Sequence, residues 1–216
     1  IPVFVQLKAP NHTIDWEQMK RAITPRTKVI MINTPHNPMG SVLSDADMKM
    51  LDQLTRDTDI LVISDEVYEH IIFDGKRHES VARYPQLAER SFLIYSFGKT
   101  YHATGWKMGY CFAPEKLMAE FRKVHQFNVF AVNTPVQFAI AEFMAKKEFY
   151  KELGKFYQQK RDKFIAMLRG SRFSIEPASG TYFQLLGYER ITEEKDTDYA
   201  IRLTKEHKIA SIPLSV

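Results

Sequence analysis

The sequence ILVISDEVYE at residues 60–69 decides the fold class, because a short apolar run leads directly into a cluster of acidic and aromatic residues. The run ILVIS has the length and composition of a strand that is buried on both faces. Two other runs have the same character, KVIMIN at residues 28–33 and SFLIYS at residues 91–96. Helix-like segments separate the three runs, which is typical of a mostly parallel sheet with helices on both faces. We therefore predict an α/β protein.

Helices and further strands are predicted on either side of these three runs. Asp15 is a predicted cap of the first helix, and Ser44 with Asp47 three residues later predicts the start of the second. The predicted helices cover residues 16–22, 44–56, 114–127, 134–147, 148–169 and 196–207. Further strands are predicted at residues 3–7, 180–186 and 209–216.

The pattern changes along the chain, and this predicts two structural units. Residues 1–155 contain the alternating strands and helices of a large α/β domain, whereas residues 156–216 are predicted to be part of a small α+β domain. The chain opens at Ile1 in a predicted strand and ends in another. We therefore expect it to be the middle of a longer protein.

The composition indicates a soluble globular protein with an ordinary core, since 44% of the 216 residues are hydrophobic and 26% are charged. The net charge of +4 slightly favours an anionic ligand, but no run of basic residues predicts nucleic-acid binding. The single cysteine, Cys111, excludes an internal disulfide framework and favours a cytoplasmic location. No apolar stretch approaches the roughly 20 residues of a membrane helix.

Four polar clusters follow the predicted strands: NTPHNPMG at 33–40, DEVY at 65–68, SFGKT at 96–100 and GWKMG at 105–109. The carboxyl ends of parallel strands meet at one edge of the sheet, where ligands bind. A carboxylate at that edge, Asp65, is costly to desolvate unless it meets a cation, a donor or a metal. A helix cap or an ordinary ion pair would satisfy it equally well.

Lys99 is the candidate nucleophile of this edge. A lone loop lysine is usually a solvated surface charge, but a second cation nearby, Lys107, favours the neutral amine that nucleophilic chemistry requires. Ser96 and Lys107 together have the chemistry to hold a phosphate.

Nucleotide-binding alternatives fail on spacing. FGKT is similar to the end of a phosphate-binding loop, but the glycine required five residues before Gly98 is replaced by Leu93, inside a strand. The acidic strand also precedes this loop instead of following it. No G-x-G-x-x-G sequence follows any strand, so a dinucleotide site is not predicted either.

Taken together, the clusters resemble the class I/II aminotransferases of pyridoxal-phosphate fold type I, within the kynurenine aminotransferase-like branch. The resemblance rests on N-P-x-G after a strand, S-D-E-x-Y, and S-x-G-K followed by a lysine eight residues later. It implies pyridoxal phosphate as the cofactor, with no metal. It implies the following roles: Lys99 bonds to the cofactor as a Schiff base and shuttles a proton, Asp65 pairs with the pyridine nitrogen, Asn37 and Tyr68 bind the 3′ oxygen, and Ser96 and Lys107 bind the phosphate. Many relatives carry arginine at the Lys107 position.

The resemblance also implies a function. We expect amino-group transfer from an L-amino acid of methionine or aromatic type to a 2-oxo acid. It further implies a homodimer in which a loop near Phe127–Thr134 approaches the interface. Two alternatives stay open, a β-lyase of the same fold and a pyridoxal-phosphate-sensing domain of a transcription regulator.

Overall fold

A computed structural model describes residues 1–215, and its centre is a four-stranded sheet. A small antiparallel hairpin, β1 (Leu7–Lys8) and β2 (Thr13–Ile14), precedes that sheet. The sheet itself contains β3 (Val29–Asn33), β4 (Leu61–Asp65), β5 (Ser91–Ser96) and β6 (Gly109–Phe112), adjacent in that order. β3, β4 and β5 are parallel, whereas β6 runs antiparallel to β5. The α/β class is therefore confirmed as a mixed sheet with helices.

The apolar runs form these strands because alternate side chains fill one core. Ile30, Ile32, Val62 and Leu93 pack with the helical residues Met48 and Leu51, among others. The opposite face of β3 is open, since Val29 is 47% exposed and Met31 is 65% exposed. The prediction that both faces of every strand are buried is therefore wrong for β3 among residues 1–215.

Nine α-helical segments lie among the described residues. They are α1 (Trp16–Ala22), α2 (Asp45–Thr55), α3 (Pro85–Ala88), α4 (Phe97–Thr100), α5 (Glu115–Asn128), α6 (Thr134–Met144), α7 (Glu148–Lys151), α8 (Leu153–Met167) and α9 (Asp196–His207). Both predicted caps are confirmed. Asp15 accepts a hydrogen bond from the Gln18 N–H, and Ser44 forms a capping box with Asp47. Within residues 1–215 we find no helix that combines the length and the apolar character needed to cross a membrane.

The long helix predicted for residues 148–169 is divided, because α7 ends before Glu152 and α8 begins at Leu153. Leu153 is buried against Tyr68, Ile71 and Phe73. A Cβ atom at Gly154 would lie 3.0 Å from the Ile72 carbonyl oxygen, so the start of α8 lies directly against that backbone. The predicted division between residues 155 and 156 falls inside α8 and stays a prediction.

Three predicted strands are not observed as predicted. Of residues 3–7, only Leu7 lies in a strand. Residues 180–186 form no continuous strand: Gly180 makes a single antiparallel bridge to Ile72, and the Gln184 side chain binds the Ala178 N–H and the Glu176 carbonyl. Residues 209–215 fold back on α9, where the Asp196 carboxylate binds the main chain and hydroxyl of Ser215. Val216, the last residue of that predicted strand, lies outside the described residues.

Candidate active site

The ends of the parallel strands bring the predicted polar clusters to one edge. In the sheet register Asn33 is paired with Asp65, and Asp65 with Ile94. The Asn33 amide nitrogen donates to the Asp65 carbonyl oxygen at 3.0 Å, and its oxygen accepts from the Asn37 N–H at 2.7 Å. Asn33 therefore fixes the backbone of Asn37 beside the end of β4. The Asn37 side chain itself is exposed.

The Asp65 carboxylate lies half-buried at this edge. Burial raises the pKa of Asp65, whereas the Val67 N–H at 3.3 Å and the positive charge of Lys99 act in the opposite direction. Burial dominates, so the pKa lies above the ordinary aspartate value. A cationic donor placed against this carboxylate would stabilise its ionised form.

Tyr68 is 1% exposed, and its hydroxyl faces the Tyr182 hydroxyl without forming a hydrogen bond of normal geometry to any of residues 1–215. Burial also raises the pKa of Tyr68, so the hydroxyl keeps its proton. A buried hydroxyl without a partner costs about 1–3 kcal/mol. The fold therefore holds a polar atom that a ligand oxygen would satisfy.

A cavity of about 270 Å³ lies between the end of β5 and the start of β6. Its lining residues are Ser96, Gly98, Lys99, Thr104, Lys107, Met108 and Gly109. Ser96 caps α4, since its hydroxyl oxygen accepts from the Lys99 N–H at 3.2 Å. Lys107 is exposed and has a left-handed backbone with a φ of 52°, at the chain reversal into β6. Two lysines and a hydroxyl around one cavity favour an anionic group such as a phosphate.

A larger cavity of about 500 Å³ lies elsewhere, among apolar residues of β4, β5 and β6 and the helical residues Phe121 and His125. Neither Asp65 nor Lys99 lines it. The smaller cavity and the adjoining strand ends are therefore the candidate site.

The Lys99 amine lies beside two tyrosine rings. Its Nζ donates a hydrogen bond to the Tyr182 hydroxyl oxygen at 2.9 Å. The same Nζ lies 5.4 Å from the ring centroids of both Tyr68 and Tyr182, within the range of a cation–π contact.

Comparison with known proteins now identifies the family. The model of aminotransferase class I and II matches residues 2–216. This chain belongs to that family. Class I and II aminotransferases use pyridoxal phosphate.

Several aminotransferases are similar along most of the chain. The methionine aminotransferase of Escherichia coli K12 is 47% identical over 97% of this chain and 55% of its own length. Kynurenine–oxoglutarate transaminase 1 of the rat is 33% identical over 84% of this chain and 48% of its own. The chain spans about half the length of the curated aminotransferases that it matches.

Solved aminotransferase structures share this fold. An E. coli protein described as having a methionine aminotransferase function superimposes with a TM-score of 0.93 at 47% identity, covering 97% of this chain and 56% of that one. The N-succinyldiaminopimelate aminotransferase of Mycobacterium tuberculosis gives a TM-score of 0.92 at 31% identity, covering 100% and 56%. The described sheet and helices therefore form part of an aminotransferase fold.

The sequence predictions assigned no role in this candidate site to Asn33 or Tyr182. Asn33 had a signal, since it is a polar amide at the last position of an apolar strand. Tyr182 had none as a neighbour of Lys99, because the two residues are 83 positions apart and meet only in the folded chain.

Proposed function

We propose that this chain carries the pyridoxal-phosphate site of an aminotransferase that moves an amino group from an L-amino acid to a 2-oxo acid. The observation that carries the proposal is the Tyr68 side chain, whose ring centroid lies 5.4 Å from the Lys99 amine and whose buried hydroxyl is unpaired among residues 1–215, at the strand edge that also holds Asp65. Family membership supplies the cofactor class.

Each predicted site residue suits one part of the cofactor. Ser96 and Lys107 line the cavity of about 270 Å³ and would hold the phosphate, where Lys107 contributes a point charge. Asn37 and Tyr68 would bind the ring oxygen. This oxygen would give the Tyr68 hydroxyl a hydrogen-bond partner. Asp65 would face the pyridine nitrogen, and the proton held there would stabilise the ionised carboxylate. Lys99 would form the covalent bond to the cofactor.

The reaction requires these side chains to hold one proton at the ring nitrogen and to transfer another at the substrate Cα. When bound, pyridoxal phosphate supplies an electron sink for the charge that develops at the substrate Cα. Asp65 would keep a proton at the ring nitrogen of the bound cofactor. Lys99 would take the proton from the substrate Cα as a general base and release it again as a general acid. General acid–base catalysis of this kind contributes about 10²–10⁴-fold.

We propose methionine and aromatic amino acids as the substrates, because the E. coli relative is a methionine aminotransferase and others are kynurenine transaminases. We also propose a cytoplasmic homodimer. The loop near Phe127–Thr134 supports this dimer, since Phe127 and Phe130 are 88% and 81% exposed there.

An absorbance measurement on the whole protein tests the cofactor assignment. Pyridoxal phosphate should give a lysine-bonded band that shifts when an amino acid is added. The band should disappear in Lys99→Ala and persist in the control Lys116→Ala, whose lysine is exposed on α5. A band that persists in Lys99→Ala would refute the role of Lys99.

A product assay then tests the reaction. With methionine, phenylalanine or kynurenine and a 2-oxo acid, we expect the matching 2-oxo and amino acids in equal amounts. Release of ammonia with a cleaved side chain would instead indicate a β-lyase. A spectral shift without any turnover would indicate a sensing domain.

A further inference from the structure

The contact between Lys99 and Tyr182 is built by a fixed segment of backbone. Gly180 lies so close to the chain that a Cβ atom there would be 2.9 Å from the Ile71 carbonyl oxygen. The next residue, Thr181, donates its N–H to the same carbonyl at 2.9 Å and has a left-handed φ of 64°. Tyr182 follows directly, so its Cα position is set by main-chain contacts.

The ring of Tyr182 is also held on several sides. The ring centroid of Tyr68 lies 5.2 Å away, edge-on, and that of Phe183 lies 4.8 Å away. The Tyr157 ring from α8 is 5.7 Å away. These rings pack against the ring of Tyr182, a residue that is 38% exposed, and orient its hydroxyl toward the Lys99 amine.

The hydroxyls of the two packed tyrosines have different partners. The Tyr182 hydroxyl accepts from Lys99 Nζ at 2.9 Å, whereas the Tyr157 hydroxyl lies 3.2 Å from the Nδ1 atom of His102. Burial raises the pKa of Tyr182, but the hydrogen bond and positive charge of Lys99, together with the neighbouring Tyr68 hydroxyl, outweigh burial and leave the pKa below the ordinary tyrosine value. The Lys99–Tyr182 contact is therefore charge-assisted.

We propose that Tyr182 is a positioning residue that holds the Lys99 amine whenever this lysine is not bonded to the cofactor. The inference rests on the proposed function, in which Lys99 is released while it transfers the proton. A released lysine side chain has many rotamers, and holding it in one place avoids the entropy loss of realigning it. A tyrosine hydroxyl suits this role because it can accept from an ammonium group or donate to a neutral amine.

The first experiment measures the Lys99 amine in the whole protein prepared without cofactor. The protein is acylated with acetic anhydride, and the labelling of Lys99 is followed by peptide mass spectrometry relative to the exposed Lys116. Tyr182→Phe removes only the hydroxyl, and Tyr157→Phe is the matched control within the same group of rings. We expect Tyr182→Phe to accelerate Lys99 labelling about fivefold, the effect of losing one hydrogen bond, with no change in the control. Equal labelling in wild type and Tyr182→Phe would overturn the proposal, as would an equal change in both variants.

The second experiment examines proton transfer in the loaded enzyme. Single-turnover rates are compared for an amino acid with hydrogen or deuterium at Cα. We expect Tyr182→Phe to lower the rate about tenfold and to increase the isotope effect, because a misaligned base makes proton transfer more rate-limiting. Tyr157→Phe should change neither quantity. An unchanged isotope effect in Tyr182→Phe contradicts the positioning role.

The two proposals fail in different ways. If the absorbance band survives in Lys99→Ala, the proposed function is wrong, whatever the labelling shows. If that band is lost but Tyr182→Phe labels like the wild type, only the role of Tyr182 is wrong.

Discussion

Glu66 and Glu69 lie three residues apart after β4, yet the pKa of Glu66 is lowered and that of Glu69 is raised to about 7. Burial raises both, but Glu66 accepts hydrogen bonds from the His78 ring at 2.8 Å and the Val81 N–H at 3.0 Å, which reverse the effect. Glu69 accepts from the Tyr110 hydroxyl at 3.2 Å, which does not compensate for its burial. These two neighbours therefore contribute to stability with opposite dependence on pH.

We expect Glu66→Gln to lower the free energy of unfolding by about 3 kcal/mol at neutral pH, because it disrupts a buried, fully bonded carboxylate. Since the folded pKa lies below the ordinary value of 4.5, this stabilisation is present above pH 4.5 and is lost as the pH falls through the folded pKa. Urea unfolding at several pH values measures the difference, with exposed Glu120→Gln as the control. A difference that does not narrow on acidification would contradict this linkage.

For Glu69→Gln we expect the opposite dependence of stability on pH. The folded protein binds the Glu69 proton more tightly than the unfolded chain, so its contribution is complete below pH 4.5 and declines as the pH rises toward 7. Glutamine keeps the neutral form at every pH. Above pH 7 the variant should be more stable than wild type, by up to about 3 kcal/mol, and below pH 4.5 nearly equal. The same urea series measures both, and a variant that is less stable above pH 7 rules out the raised pKa.

Tyr68→Phe should separate stability from cofactor binding. Removing the unpaired buried hydroxyl should stabilise the protein without cofactor by about 1 kcal/mol. The same change should weaken pyridoxal phosphate binding about tenfold, since one hydrogen bond to the ring oxygen is lost. Thermal unfolding and cofactor titration measure the two effects. In the control Tyr84→Phe, whose hydroxyl is bonded to Asp45 and Glu79 and which does not line that cavity, stability should fall and cofactor binding should not change. A destabilised protein without cofactor would show that the hydroxyl has a partner.

Arg161→Lys should loosen the attachment of α8. The Arg161 guanidinium binds both carboxylate oxygens of Asp74 and the Ala178 carbonyl, and it lies 4.8 Å from the Phe73 ring centroid. Lysine keeps the charge but loses this forked and stacked geometry. We expect a loss of about 2 kcal/mol in urea unfolding, against no measurable loss for the exposed Lys163→Arg on the same helix. Equal stability of Arg161→Lys and wild type would mean that the charge alone suffices.

The sequence predicted the parallel strands because β3, β4 and β5 bury alternate side chains in one core, which leaves an apolar run in the sequence. It did not predict β6, a four-residue strand whose pairing with β5 depends on the chain reversal at Lys107. The strand predicted at residues 180–186 is reduced to one bridge between Gly180 and Ile72, because local sequence does not show which distant segment is available for pairing.

The residues of the candidate site also divide into those that local sequence predicts and those that depend on distant contacts. Asp65 and Ser96 are the last residues of β4 and β5, and Lys99 lies in the helical turn after β5, so their position at one edge follows from the parallel topology. Tyr182 reaches that edge only through the close packing of Gly180 on the backbone of Ile71, which local sequence does not encode.

The hydrogen bond between Lys99 and Tyr182 spans 83 positions of the chain, and this has a consequence for biosynthesis. At a translation rate of about 5–20 residues per second, Tyr182 leaves the peptidyl-transferase centre roughly 4–17 seconds after Lys99. In that interval the nascent chain presents a lysine amine that lacks its tyrosine partner. The Lys99–Tyr182 hydrogen bond can therefore form only after the later segment has been synthesised.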